Sequence, residues 1–135
     1  MSNLINLLDT YKGEKRELYP LTPSQMGVYL SCMHNPKGTM YNIPCTYVFD
    51  SGSLDTDRLI NAVRKAVDNH PVMKIFIDNS TGSPMMKPRD SVEFDIPVVQ
   101  VNNLEQAGKD FVKPFDLEKD ILFRFAVFEC GDKSL

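Results

Sequence analysis

The sequence predicts an α+β domain of the α/β-sandwich kind, with a mixed β-sheet flanked by helices. Three observations carry that prediction. Segments of strand composition alternate with segments of helical periodicity along most of the chain. The last apolar run, residues 121–128, leads into Gly131-Asp132-Lys133-Ser134, the form of a strand entering a tight hairpin turn. Finally, 135 residues, 42% of them apolar and 24% charged, suffice for one core and are too few for two.

Within residues 2–11, Leu4, Ile5, Leu7 and Leu8 stand at helical spacing, and Lys12-Gly13-Glu14-Lys15-Arg16 interrupts them with a charged link. This predicts a lead-in helix in residues 1–16, ahead of a domain at 17–135. Thr22-Pro23-Ser24-Gln25 then carries a complete helix start. Thr22 caps, Pro23 sits where its missing N–H costs nothing, and Gln25 can bond back to the cap. The helix is predicted to run from Pro23 to Met33, before the Asn35-Pro36-Lys37-Gly38 turn. Residues 43–49 are rich in β-branched and aromatic side chains and read as a strand. Asp55 caps a second helix with Leu59, Val63, Ala66 and Val67 on one apolar stripe and Arg58, Arg64 and Lys65 off it.

That helix stops at Asn69-His70-Pro71, and residues 72–77 return to strand composition. A turn at residues 78–82 leads to a hairpin partner at residues 85–87, which Pro84 and Pro88 would confine to an edge. Phe94, Ile96 and residues 98–101 suggest another strand, kept at an edge by Pro97. Asn103 and Gln106 repeat the capping-box spacing for a third helix to about Val112. Residues 121–128 form the most apolar strand, and the returning strand of its hairpin would begin at Leu135.

A net charge of −3 without a basic stripe argues against a nucleic-acid binder. No apolar run has the length of a membrane span and no secretion signal opens the chain, so a cytoplasmic protein with no membrane partner is expected. Cys32, Cys45 and Cys130 fit neither a disulfide framework nor a zinc spacing and read as reduced, structural residues. Cys32 and His34 lack a second ligand pair, so no metal site is expected. Asn79-Ser80-Thr81 matches a glycosylation sequon that carries no meaning without a secretory route.

The residues by themselves offer little catalysis. His70 reads either as a helix-terminal histidine whose ring caps backbone carbonyls or as a catalytic group. Arg124, inside an apolar run, reaches either the surface, a carboxylate partner or a cleft. The seven methionines, Met26, Met33, Met73, Met85 and Met86 among them, read as core and edge filler.

Three stretches, in this order, resemble the N-terminal part of the condensation domain of nonribosomal peptide synthetases, in the chloramphenicol acetyltransferase-like superfamily. The first is Thr22-Pro23-Ser24-Gln25-Met26-Gly27-Val28-Tyr29, similar to S-x-A-Q-x-R-[LM]-[WY]. Gln25 and Tyr29 match, Thr22 and Ser24 are small substitutions, and Gly27 replaces the arginine. The second is the helix from Leu54-Asp55 followed by Asn69-His70-Pro71-Val72-Met73-Lys74-Ile75-Phe76-Ile77, similar to the family's helix followed by R-H-E-x-L-R-T-x-F. His70 matches, Met73 and Lys74 keep the residue type, and Asn69, Pro71 and Ile75 depart from it. The third is Pro114-Phe115-Asp116-Leu117-Glu118-Lys119-Asp120-Ile121-Leu122-Phe123-Arg124, similar to P-F-D-L-x-x-G-P-L-x-R with Phe115, Asp116, Leu117, Leu122 and Arg124 in register.

The resemblance implies a chloramphenicol acetyltransferase-like N-terminal lobe, and an enzyme that joins a carrier-bound donor acyl or peptidyl thioester to an acceptor aminoacyl amine. Its partners would be peptidyl or acyl carrier domains, whose phosphopantetheine arms bring the substrates, and a C-terminal lobe. No directly bound cofactor and no metal is implied. The active-site motif H-H-x-x-x-D-G is expected beyond Leu135, so no catalytic residue lies within the chain, and the fragment alone is expected to be inactive. Its open face is expected to favour self-association. Residues 1–16 are either a lead-in helix or a docking segment. If Met1 is the native start, the domain takes its donor from a separate synthetase or as a fatty acyl group. The alternatives are a related coenzyme-A-dependent acyltransferase, an epimerization or cyclization domain, and a non-catalytic carrier-recruiting module.

Overall fold

The computed structural model describes residues 18–50, 52–131 and 133–135, and the lead-in helix predicted in residues 1–16 lies outside them. Along the described chain run β1 (Tyr19–Pro20), α1 (Pro23–His34), β2 (Phe49–Asp50), α2 (Thr56–Asn69), a 3-10 turn (Pro71–Lys74) and β3 (Ile75–Asp78). There follow β4 (Met85–Pro88), β5 (Val98–Gln100), α3 (Leu104–Phe111), β6 (Val127–Cys130) and β7 (Lys133–Ser134). The class is α+β, with the strands divided between two sheets. One is antiparallel in the order β1-β4-β3, and the other is mixed in the order β2-β7-β6-β5, with β5 parallel to β6.

The helices begin where local chemistry places them. Thr22 N–H donates to Gln25 Oε1 at 2.9 Å and Gln25 N–H to Thr22 Oγ1 at 3.3 Å, so α1 opens on a closed capping box. Asp55 accepts from Arg58 N–H at 2.9 Å and starts α2. Asn103 accepts from Gln106 N–H at 3.0 Å, but the Gln106 side chain donates to Asp110 instead, so α3 forms only half of the predicted box. On α2, Leu59 and Val63 are half-buried and Val67 is 1% exposed, while Ala66 stays exposed.

The strands are shorter than their composition predicts. Of residues 43–49 only Phe49 lies in a ladder. Residues 43–48 have no neighbouring strand among the described residues, Pro44 has no N–H to donate, and Ile43 and Tyr47 are 87% and 73% exposed. Residues 72–74 are a 3-10 turn rather than the start of a strand, because Pro71 sets its first position and Met73 N–H donates to His70 O at 2.9 Å. β4 is the middle strand of its sheet, not an edge. Pro84 precedes it and Pro88 is its last residue, so neither interrupts the ladder.

β5 lies at an edge as Pro97 predicts, with Pro97 O accepting from Val127 N–H at 2.9 Å, and residues 94–96 fall outside it. Residues 121–126 make no ladder and pack through rings instead. Phe94 meets Phe123 edge-on at 5.0 Å and Phe125 at 6.1 Å. The hairpin turn forms at Gly131, whose φ of +56° suits glycine. The returning strand already starts at Lys133, and Leu135 exchanges both backbone bonds with Phe128, at 2.8 and 2.9 Å.

Tyr29, Val67, Ile77 and Val127 are the buried apolar side chains among the described residues, with the phenylalanine cluster and the Phe111–Phe128 contact beside them. No helix among the described residues is long and apolar enough to cross a membrane.

Candidate functional site

The residues singled out by motif fall into three clusters. The first joins α1 to two distant segments. Tyr29 is 5% exposed, and its hydroxyl donates to Glu118 Oε1 at 2.6 Å. The same carboxylate oxygen accepts from Asn79 Nδ2, in the β3–β4 turn, at 3.2 Å. The bond to Glu118 is the largest cause, burial the second and the negative charge of Glu118 the third, by which the Tyr29 phenol is pushed up to about 12. Asn79 Oδ1 is buried with no hydrogen-bond partner among the described residues. The sequon asparagine therefore faces inward, into this junction.

The second cluster closes α2. His70 Nδ1 lies 2.6 Å from Ala66 O, a carbonyl that can only accept, so the ring N–H donates and caps the helix. Lys74 Nζ donates to Asp68 O at 3.1 Å and to Asp90 O at 3.0 Å. Two basic side chains thus meet the negative end of the helix, and Met73 sits half-buried between them in sequence. The capping reading of His70 is the one its position supports.

The third cluster is built around Asp116 and Arg124. Asp116 accepts from Glu118 N–H at 3.1 Å and from Lys119 Nζ at 3.0 Å. The Lys119 bond first, and the Glu118 N–H second, hold the Asp116 carboxyl below the usual carboxylate range. The same bond to Asp116 raises Lys119. Arg124 donates to Lys113 O at 2.7 Å and Pro114 O at 2.8 Å, lies 3.8 Å from Asp120 Oδ2, and stacks 3.9 Å over the Phe115 ring. Asn42 Nδ2 also donates to Lys113 O, at 2.8 Å, which ties in the loop after α1. The guanidinium therefore faces the protein, its planar fork spent on two carbonyls and a ring.

Thr22 and Gln25 are exposed and form the α1 cap, and Ser24 is exposed beside them. A side chain at Gly27 would meet nothing within 4 Å, so the position that departs from the motif faces open space. Glu118 joins the first cluster to the third. Among the described residues no hydrogen bond links His70 or Lys74 to either of those clusters. Sequence reasoning missed Glu118 and Asn79. The available signal was Tyr29 itself, because a tyrosine on the inward face of a helix needs a polar partner for its hydroxyl.

Cys32, Cys45 and Cys130 are free thiols, with Cys45 exposed rather than structural. Among the described residues no three His, Cys, Asp or Glu side chains gather as a metal site would require. An open depression on α2 is lined by Asp55, Asp57, Arg58 and Lys65, apart from all three clusters.

The family profile described as "Condensation domain" matches residues 15–135. Bacitracin synthase 3 of Bacillus licheniformis is 32% identical over 125 residues, covering 91% of this chain and 2% of that synthase. Surfactin synthase subunit 1 of Bacillus subtilis (strain 168) is 32% identical over 119 residues, covering 85% of this chain and 3% of that subunit. Among solved structures, the starter condensation domain of rhizomide synthetase superposes with a TM-score of 0.73 at 18% identity, covering 88% of this chain and 31% of that one. A holo four-domain nonribosomal peptide synthetase bound to AMP and glycine gives 0.75 at 15% identity, covering 93% and 10%. The chain thus spans a few per cent of the curated relatives it matches and under a third of these solved chains.

Proposed function

The chain belongs to the condensation-domain family, and from that premise we propose that residues 17–135 form part of the N-terminal lobe of a domain that makes amide bonds on a nonribosomal peptide synthetase. The profile match over residues 15–135 carries this reading. In the proposed reaction the amine of a carrier-bound aminoacyl thioester attacks the thioester carbonyl of a carrier-bound acyl or peptidyl donor. A tetrahedral oxyanion forms, the amide results, and the phosphopantetheine thiol leaves. One solved relative is in complex with C8-CoA, an acyl thioester of the proposed donor chemistry. Residues 1–16 would serve as a lead-in or docking segment.

The side chains of this chain would supply support. The donors of Arg124 go to Lys113 O and Pro114 O, and the Nδ1–H of His70 goes to Ala66 O. Tyr29 is held protonated by Glu118. No adjacent histidine pair occurs among the 135 residues. These groups fix a helix end, a turn and a loop, and when both substrates arrive tethered much of the rate comes from such alignment.

The test supplies donor-loaded and acceptor-loaded carrier proteins to residues 1–135, and to a chimera in which the rest of the bacitracin synthase 3 condensation domain follows Leu135. Mass spectrometry is expected to find amide product from the folded chimera and none from residues 1–135. Product from the shorter polypeptide, or none from a chimera that melts cooperatively, overturns the reading.

A further inference from the structure

Residues 113–124 form a loop that is closed twice. At its base Arg124 donates to Lys113 O at 2.7 Å and to Pro114 O at 2.8 Å. Nearer the tip, Asp116 N–H donates to Asp120 Oδ2 at 2.8 Å, and Asp120 N–H donates back to Asp116 O, also at 2.8 Å. Glu118 stands midway between the two aspartates, and its N–H donates to Asp116 Oδ1 at 3.1 Å. From this tip the Glu118 carboxylate meets Tyr29 Oη at 2.6 Å and Asn79 Nδ2 at 3.2 Å.

We propose that Asp120 is a positioning residue, whose carboxylate closes the turn at residues 116–120 and so aims Glu118 at Tyr29 and Asn79. The bonds received by Asp116 O and Asp116 Oδ1 come from backbone N–H groups, which any residue but proline would supply at positions 118 and 120. The bond from Asp116 N–H is different, because it needs a side-chain acceptor at position 120. The ion pair with Arg124 is a lesser matter. At 3.8 Å, with the two side chains 43% and 32% exposed, it contributes little by itself.

The pattern P-F-D-L-x-x-G-P-L-x-R has Gly and Pro where this chain has Asp120 and Ile121, so the lock belongs to this chain's own residues. No described residue other than glycine has a positive φ, and an aspartate therefore fits position 120 without backbone strain. Remove its carboxylate and Asp116 N–H turns to solvent, the tip opens, and the grip of Glu118 on Tyr29 and Asn79 loosens. The base of the loop stays closed, because the two bonds from Arg124 do not involve residue 120.

Tyr29 reports the aim of Glu118. Its phenol is pushed up to about 12, first by the bond to Glu118, then by burial, then by the Glu118 charge, and the Asp120 charge is not among the causes. A change in that titration therefore reads geometry rather than lost charge. In ultraviolet titration of residues 1–135, Asp120→Ala is expected to bring the late tyrosine step down toward 10.0, the ordinary phenol value. Asp120→Asn is expected to leave it near 12, because an amide oxygen still accepts from Asp116 N–H. Hydrogen exchange at Asp116 N–H, each rate taken relative to its intrinsic value, is expected to quicken at least several-fold in Asp120→Ala and to stay slow in Asp120→Asn. A late step that survives the alanine, an unchanged Asp116 exchange, or an asparagine variant as altered as the alanine one overturns the proposal. Where Asp120→Ala melts without cooperativity, Asp120→Asn decides. Loss of its late step overturns the proposal, and retention with slow Asp116 exchange upholds it. Neither readout involves amide synthesis, so this inference and the proposed function can fail separately.

Discussion

Tyr29 hides its ring inside the protein and needs one acceptor for its hydroxyl, and that acceptor is a carboxylate 89 residues away in sequence. Glu118 binds Tyr29 and Asn79 through one oxygen, so removing the phenol leaves a partly buried carboxylate short of a donor. Tyr29→Phe is expected to lower stability by about 1–3 kcal/mol, read as a lower urea midpoint at unchanged slope. The pH dependence follows from the direction of the shift. The folded phenol is raised from 10.0 to about 12, so its contribution is fully present below pH 10 and lost as pH climbs through 12. Ultraviolet titration should show one tyrosine ionising near 12, absent in Tyr29→Phe. A titration in which that late step survives the substitution would assign it to another residue. Neither Glu118 nor Asn79 was legible beforehand, because nothing local ties an x position of the third motif, or a turn asparagine, to α1. His70 was legible because its acceptor lies four residues back on its own helix.

At the scale of elements the same division holds between local and distant causes. α1 and α2 begin at the residues their caps indicate and end within a residue of the expected stop, since capping boxes and apolar stripes are written into consecutive residues. Residues 43–48 and 121–126 have equally clear strand composition and form no ladder, because strand character is completed only by a neighbour. Gly27 separates helix propensity from packing within α1. It lies mid-helix, it is exposed, and a Cβ there meets nothing within 4 Å. Gly27→Ala is therefore expected to stabilise the chain by about 0.5–1 kcal/mol, through backbone entropy alone. A thermal melt that moves down with the alanine would mean that the position is covered by something its open surroundings do not indicate.

For the whole molecule, the balance of buried and exposed apolar surface is the governing quantity. Four apolar side chains are buried among the described residues, whereas thirteen large ones are exposed. Seven of the thirteen lie between Leu30 and Val48, on α1 and the loop that Tyr41 ties back to it through Ser31 Oγ at 3.5 Å. An apolar band of that kind beside an unpaired strand edge is what soluble monomers ordinarily avoid, and a net charge of −3 is too small to keep copies apart through physiological salt. Residues 1–135 are accordingly expected to sediment with a concentration-dependent rise in mass and to brighten an apolar dye. A paired substitution, Ile43→Lys with Tyr47→Lys, should lower both signals, because it puts charge on two strongly exposed apolar positions of the segment that leads into β2 while leaving the buried residues untouched. Lengthening the chain past Leu135 should lower them as well, by covering the same surface. If the lysine pair leaves association unchanged while the lengthened chain abolishes it, the adhesive surface lies outside residues 43–48. If neither changes it, the copies meet elsewhere and the exposed band is not what drives them together.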